Sequence, residues 1–394
     1  MDTDYLIVGA GCAGLSLATH LAARGLGGRR VIVVDPRPAF ARDHTWCFWD
    51  VHDHPFADAV THRWARWRVA AAGADVVCGS GRYSYQHLPA DAFYAAAIAR
   101  LRDVPGVELR LGQAAGAVTD LGDHVQVATS GGAVRARVVF DSRVAAPRPT
   151  AGGGARSGIR DAVRLSQQFV GLFVRADRPA FDPGTATLMH FAADAAFPGA
   201  ICFTYVLPFS PYEALVEATA IAGDVLDTDA LAHAARRYLA AHHPGVAFAV
   251  LRTERGHLPM STAAVDRRPS PRVYRIGLAG GLAKPSTGYA FLAIQRDSAE
   301  LARRLAQTEL PEAPRPRGVR ATFLDRVFLS YLERHPARAP ALFARLFARA
   351  APDVVVRFLS DTGSLADQAR VAAALPLRAF VAEAVRSAPL WLRA

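Results

Sequence analysis

The chain has 394 residues, 51% of them hydrophobic, and 46 basic against 35 acidic side chains give a formal charge of +11. That length and apolar content predict two or three packed units around large cores and exclude a disordered chain or a single small domain. Lys284 is the only lysine, so the excess of arginine reads as codon bias. No basic run carries the interleaved aromatics of a nucleic-acid module, and no nucleic-acid partner is expected.

The first element is an apolar strand in DYLIVGAGCAGLSLATHLAARG, followed by a glycine turn and a helix with Leu15, Ala18, Leu21 and Ala22 at helical spacing. Gly9, Gly11 and Gly14 form G-x-G-x-x-G, for the tight turn, close approach of backbone to a pyrophosphate, and packing of helix on strand. The anion belongs at the helix amino terminus. A second strand, VIVVD, ends at Asp35, where an acidic residue closes on a ribose hydroxyl. The motif alone fits a nicotinamide or a flavin dinucleotide. Next, HTWCFW places Trp46, Phe48 and Trp49 beyond the nucleotide-binding strand, as core aromatics or as walls of a site.

From residue 104 to 140 short strands alternate with turns and end in ARVVFDSR. Arg143 there serves either the nucleotide or a solvated strand end. PRPTAGGGARSG, residues 147–158, reads as a glycine-rich loop. Residues 161–265 read as β-rich, and a block inserted after a nucleotide-binding unit builds a substrate cavity. GGLAKPSTGYAF then gives a glycine-rich turn before a helix, with Gly280, Gly281, Thr287 and Gly288 offering backbone amides to a phosphate or ring. PEAPRPRG, residues 311–318, is a linker. Beyond it, APALFARLFARA sets Leu342, Phe343, Leu346 and Phe347 on one face, to rest on a bilayer or to cover a core.

Cys12, Cys47, Cys78 and Cys202 have no CxxC spacing, so no metal site or disulfide framework is expected, and a reducing, cytoplasmic compartment is the simplest reading. The start, MDTDYLIVGAG, has no basic leader. No apolar stretch reaches the roughly 18 residues of a membrane span.

HTWCFW, QQFVGLFV, FDPGTATLMHF, LPFSPYEALVEATA, ERGHLPM and GGLAKPSTGYAF occur in the order found in flavin-dependent lycopene cyclases of the bacterial and plant type, and the chain resembles that family. The resemblance runs more loosely into FLDRVFLSYL and RFLS. It implies an α/β fold: a discontinuous FAD-binding Rossmann-type unit over 1–160 and 266–306, of the hydroxylase and reductase kind. A β-rich substrate domain over 161–265 and a helical C-terminal region over 319–394 complete it.

The implied activity is a lycopene β-cyclase, closing the ψ end of an acyclic carotenoid into a β-ionone ring with reduced FAD and NAD(P)H as electron donor. Peripheral contact with the inner face of the cell membrane goes with it. The alternative is a polyene or isoprenoid reductase or hydroxylase on the same framework. Glu217 matches the family's cyclase motif, with Ala218 in place of its second acid. His190 stands where the family has Asp in LMDF, which makes a related polyene or end group an alternative substrate. An alkene is a poor base, so its proton donor must be strongly acidic in context. Buried in an apolar run, Glu217 is kept neutral and able to donate. Trp46, Phe48, Trp49, Tyr205, Tyr289 and Phe291 are the candidates to face the substrate cation. On strand alternation alone, Glu217 equally suits a solvated face.

Overall fold

The computed structural model describes residues 1–144, 163–191 and 197–391; the 147–158 segment lies outside them. β1 (Thr3–Val8), α1 (Cys12–Ala23) and β2 (Val31–Asp35) open the chain. β3 (Thr45–Trp49) and β4 (His62–Trp64) flank β7 (Tyr85–Pro89) in a small sheet, while β5 (Arg66–Ala71) and β6 (Ala74–Gly79) leave for another. α2 (Ala90–Leu101), β8 (Val107–Leu111), β9 (Ala115–Asp120), β10 (Val125–Thr129) and β11 (Gly132–Asp141) follow.

Among the described residues the first sheet runs β8-β2-β1-β11-β10-β9, with β17 (Val273–Arg275) added parallel to β11. β1 from Tyr5 to Val8 and β2 from Val31 to Val34 are continuously apolar because both faces are covered, as parallel strands require. Ile7 and Val33 pack under α1, α2 and α4 (Phe291–Leu305), whereas Leu6, Val8, Ile32 and Val34 meet Val125, Val127 and Val134 of the β9–β11 meander.

The second sheet is built from β12 (Arg164–Ala176), β13 (Thr185–His190), β14 (Ile201–Pro208), β15 (Glu213–Ala222) and β16 (Phe248–Ser261), in the order β16-β12-β15-β14-β13-β5-β6. Two of its strands, β5 and β6, come from residues before 160, so this sheet and the nucleotide-binding unit are interleaved along the chain. α3 (Thr228–His242) lies on its outer face, with Leu231, Ala232 and Ala235 against Val216, Ala218 and Ala220. α3 is a helix inside the stretch expected to be β-rich, its buried face made of Leu231, Ala232, Ala235, Tyr238 and Leu239. α3 covers the Val216, Ala218 and Ala220 face of β15, and Leu215, Glu217 and Thr219 on the other face are buried as well, contrary to the solvated face that alternation allowed.

The C-terminal region is helical: α5 (Val319–Arg334), α6 (Ala339–Arg349), α7 (Pro352–Leu359), α8 (Leu365–Ala374) and α9 (Leu377–Trp391). The linker before it is pinned, Tyr274 donating to the Pro311 carbonyl at 2.6 Å. α6 turns Leu342, Phe343, Leu346 and Phe347 inward to the core. Among the described residues no helix is long and apolar enough to cross a membrane.

Candidate functional site

A cavity of about 510 Å³ runs from α1 in the nucleotide-binding sheet to α6 and α8 in the C-terminal region, with the second sheet as one wall. At its first end the three glycines do different work. Gly9 has φ +96°, and a Cβ there would sit 2.2 Å from the Ser142 hydroxyl. At Gly14 a Cβ would lie 1.9 Å from the Gly9 carbonyl oxygen, so only glycine lets α1 approach β1. A Cβ on Gly11 meets nothing within 4 Å, and Gly11 lines the cavity. Beside it α1 begins with no side-chain cap, leaving its first N–H groups to an anion.

Asp35 is buried, accepting from the Ala10 N–H at 2.7 Å and from the Arg37 Nε at 2.8 Å. It therefore braces the glycine turn and orients Arg37, which does line the cavity. Glycine turn, uncapped helix and arginine together fit the phosphates of a dinucleotide.

On the opposite wall one cross-strand row carries the titratable groups. Tyr205 of β14 pairs with Glu217 of β15, Glu217 with Gly171 of β12, and Gly171 with Glu254 of β16. Glu217 is only 7% exposed and Glu254 only 6%. Burial, and then the neighbouring Glu254, push the Glu217 carboxyl up to about 8, against which the hydrogen bond from Thr219 works. Thr219 Oγ1 donates to Glu217 Oε1 at 2.9 Å. The protonated form of the acid is therefore favoured at pH 7. Ala218, the next residue, faces α3 instead, so the acid missing from the family's pair belongs to the far side of the sheet.

This ionisation carries a stability signature. A carboxyl raised in the folded state lends full stability below its ordinary value of 4.5 and loses that contribution as pH rises through about 8. Glu217→Gln is expected to melt at a higher temperature than the parent above pH 8 and to show a flatter dependence of Tm on pH. Parallel Tm curves from pH 5 to 9 would contradict a buried neutral acid.

Tyr205 donates to Tyr85 at 3.0 Å, and Tyr85 lies 3.4 Å from the Tyr289 hydroxyl, joining the sheet to the loop before α4. Trp46, Trp49, Tyr205, Tyr289 and Phe291 all line the cavity. Phe48 does not: it is buried behind, stacked on Phe291 with centroids 4.6 Å apart. Thr287 and Gly288 line the cavity, as does Gly277, whose φ of +62° and tight approach to Ala13 suit glycine alone. Gly280 and Gly281 turn the chain behind it, against the Arg275 carbonyl and Val265.

Lys284 fastens this loop to the helical region through Asp361 and through Asp325 at 3.0 Å. Arg143 is turned to the outside, bound to Asp141 and to the Ala115 carbonyl at 2.7 Å. That is the strand-end reading of Arg143, and Ser142 and Val144 line the cavity in its stead. His190 is likewise turned from the cavity, its Nδ1 3.1 Å from the Tyr238 hydroxyl on α3, while Leu188 and Met189 face the cavity. Sequence reasoning missed Arg37, Gly171 and Glu254. Only the motif ERGHLPM hinted at the last, and the row that gives Glu254 meaning needs the register of three strands.

A family model described as lycopene cyclase protein matches residues 4–385. Among curated proteins no relative matches. A geranylgeranyl bacteriochlorophyll reductase-like protein from Thermoplasma acidophilum superposes with TM-score 0.60 at 14% identity, over 96% of this chain and 97% of that one. The anhydrotetracycline hydroxylase OxyS from Streptomyces rimosus gives 0.57 at 18% identity, over 92% and 76%. Aklavinone-11 hydroxylase, solved with FAD and aklavinone, gives 0.54 at 19%, over 86% and 70%. At such identities these neighbours establish the fold, that of flavoprotein monooxygenases and reductases. With nearly the whole length matched by one family model, the chain belongs to the lycopene cyclase family.

Proposed function

We propose that the protein is a lycopene β-cyclase that closes the ψ end groups of lycopene, or a related acyclic carotenoid, by acid catalysis with no net redox change. One observation carries the reading: a buried carboxyl, Glu217, whose surroundings disfavour its charge, faces a cavity with aromatic and aliphatic walls. Glu217 gives its proton to the terminal carbon–carbon double bond, and the next double bond attacks the tertiary cation. The carboxylate then takes back a proton from the ring carbon, leaving the composition of the polyene unchanged. Aromatic faces at Trp49, Tyr205 and Tyr289 favour the cation. Leu188, Phe203, Leu346 and Phe347 keep water out, which would otherwise trap it as an alcohol.

The cradle at Gly11, Arg37, Ser142 and Gly277 suits the dinucleotide of FAD. The amides expected of Thr287 and Gly288 are taken by the Lys284 carbonyl at 3.1 and 2.7 Å, and those of Gly280 and Gly281 by the Ile276 and Leu278 carbonyls, so this turn would give the cofactor a surface to lie on and no free donors. When bound and reduced by NAD(P)H, FAD supplies an anionic, electron-rich ring that favours positive charge nearby. A reductase or hydroxylase would share this framework and consume electrons at each turnover. Expression beside an acyclic carotenoid pathway, followed by mass spectrometry of the pigments, separates them: cyclisation leaves the mass unchanged, reduction adds two hydrogens, and hydroxylation adds an oxygen.

So apolar a substrate is drawn from a bilayer, and peripheral contact with the cytoplasmic face of the membrane belongs to the proposal. The face for it is on α9, where Leu377, Val381 and Val385 recur every fourth residue and are 57%, 51% and 66% exposed. Leu375, two residues before the first of them, lines the cavity. Val381→Asp with Val385→Asp is expected to reduce sedimentation with anionic vesicles several-fold and to leave FAD binding intact. Equal vesicle binding would remove α9 from membrane contact.

A further inference from the structure

The second carboxylate of the row has no part in the reaction as written above, yet it is buried as deeply as the first. Gly171 stands between the two in the register, and it has no side chain to separate them. A Cβ on Gly171 would lie 3.5 Å from Glu217 Oε2, 3.2 Å from Glu254 Cγ and 2.7 Å from Leu215 Cδ1, so both acids lean over the same gap.

Their partners differ. Glu254 Oε2 accepts from Thr45 Oγ1 at 2.8 Å and is ion-paired with the Arg252 guanidinium at 3.3 Å. That guanidinium is itself fixed, over the Phe173 ring at 3.7 Å and on the Arg42 carbonyl at 2.8 Å. Glu217 has the Thr219 hydroxyl. Around it stand Cys47 of β3, Tyr85 of β7, Tyr205 of β14 and Tyr289 of the loop before α4, all held protonated by burial. His44 and His257 line the cavity near Glu254, whereas the Arg255 guanidinium is turned to Asp229 of α3 at 3.5 Å. Burial raises the Glu254 carboxyl too, but Thr45 and Arg252 work against that rise, so of the two acids over this gap Glu254 ionises first and its charge holds back the second ionisation.

We propose that Glu254 is a positioning residue: an ion-paired carboxylate that acts across the gap at Gly171 to keep the proton on Glu217. This rests on the reading of Glu217 as the acid of the cyclase. Glycine at 171 is then a requirement of the chemistry as well as of packing, since any side chain there would stand between the charge and the acid it controls.

The test is a carbon-13 NMR titration of the FAD-loaded protein labelled at glutamate carboxyls, alongside the pH dependence of cyclisation of an acyclic C40 polyene in vesicles. Signals are assigned by their loss in Glu217→Gln and Glu254→Gln. The proposal expects Glu254 ionised and Glu217 protonated at pH 7. In Glu254→Gln the Glu217 midpoint and the alkaline limb of the rate profile are expected to move together to lower pH by about one unit. Glu254→Asp, which keeps the charge, is expected to restore most of that shift, which a purely structural role for Glu254 would not do. Gly171→Ala is expected to lower the Glu217 midpoint as well. An unmoved Glu217 midpoint in Glu254→Gln, or a protonated Glu254 beside an ionised Glu217, overturns the proposal. Full cyclisation by Glu217→Gln overturns instead the reading on which it rests.

Discussion

Glu217→Gln is expected to lower the rate of ring closure by about 10²- to 10⁴-fold while leaving bound flavin and fold intact. The amide has nearly the shape of the acid, and its oxygen still accepts the hydrogen bond that Thr219 gives Glu217. It adds no charge to a buried site. What it lacks is a proton that an alkene can take. Glu217→Asp keeps the acid but draws it back by one methylene toward β15, so activity between the two is expected. Pigment analysis after co-expression, and initial rates with reduced FAD on vesicle-borne substrate, are the measurements. A Gln variant that cyclises at more than half the parental rate would remove Glu217 from the proton transfer.

The second large effect separates two glycines three residues apart. Gly14→Ala would drive a methyl group to 1.9 Å from the Gly9 carbonyl, a backbone atom that cannot move aside, so α1 must lift from β1 and soluble protein is expected to be lost. Gly11→Val meets no protein atom within 4 Å near its Cβ, and the variant is expected to fold with an unchanged circular dichroism spectrum. Its side chain then occupies the space where a pyrophosphate would approach the helix terminus, and the visible absorbance of bound FAD is expected to disappear. Stoichiometric flavin in purified Gly11→Val would place the cofactor elsewhere.

The nucleotide-binding half was legible in the sequence because its chemistry is local. Strand, glycine turn, helix, strand and acid fall within 35 residues, and each position has its own steric reason. Even there, Asp35 is enclosed by Ala10 and Arg37, and Arg37 is the residue turned to the cavity. A residue two places past a strand end has no periodicity to announce it.

In the substrate half Glu217 could be singled out by its motif. Its burial depends on elements far along the chain, the β3–β7 sheet and the loop before α4, which bring Cys47, Tyr85 and Tyr289 to the cavity on its side of β15. Glu254 lies 37 positions further along and meets Glu217 only through the registers of β15, β12 and β16. The loop before α4 illustrates the same limit: GGLAKPSTG offers several glycines, and only backbone geometry tells Gly288 and the earlier Gly277, at the cavity, from Gly280 and Gly281 behind it.

The proposed chemistry depends on the protonation state of one side chain, Glu217. Infrared difference spectra of the oxidised, FAD-loaded protein across pH 6 to 10, compared with Glu217→Gln, read it directly through the carbonyl stretch of a protonated carboxyl. The expected result is a band present at pH 7, absent from the Gln variant, and bleached with a midpoint at about 8. A Glu217 that is already a carboxylate at pH 6 would contradict the proposed chemistry.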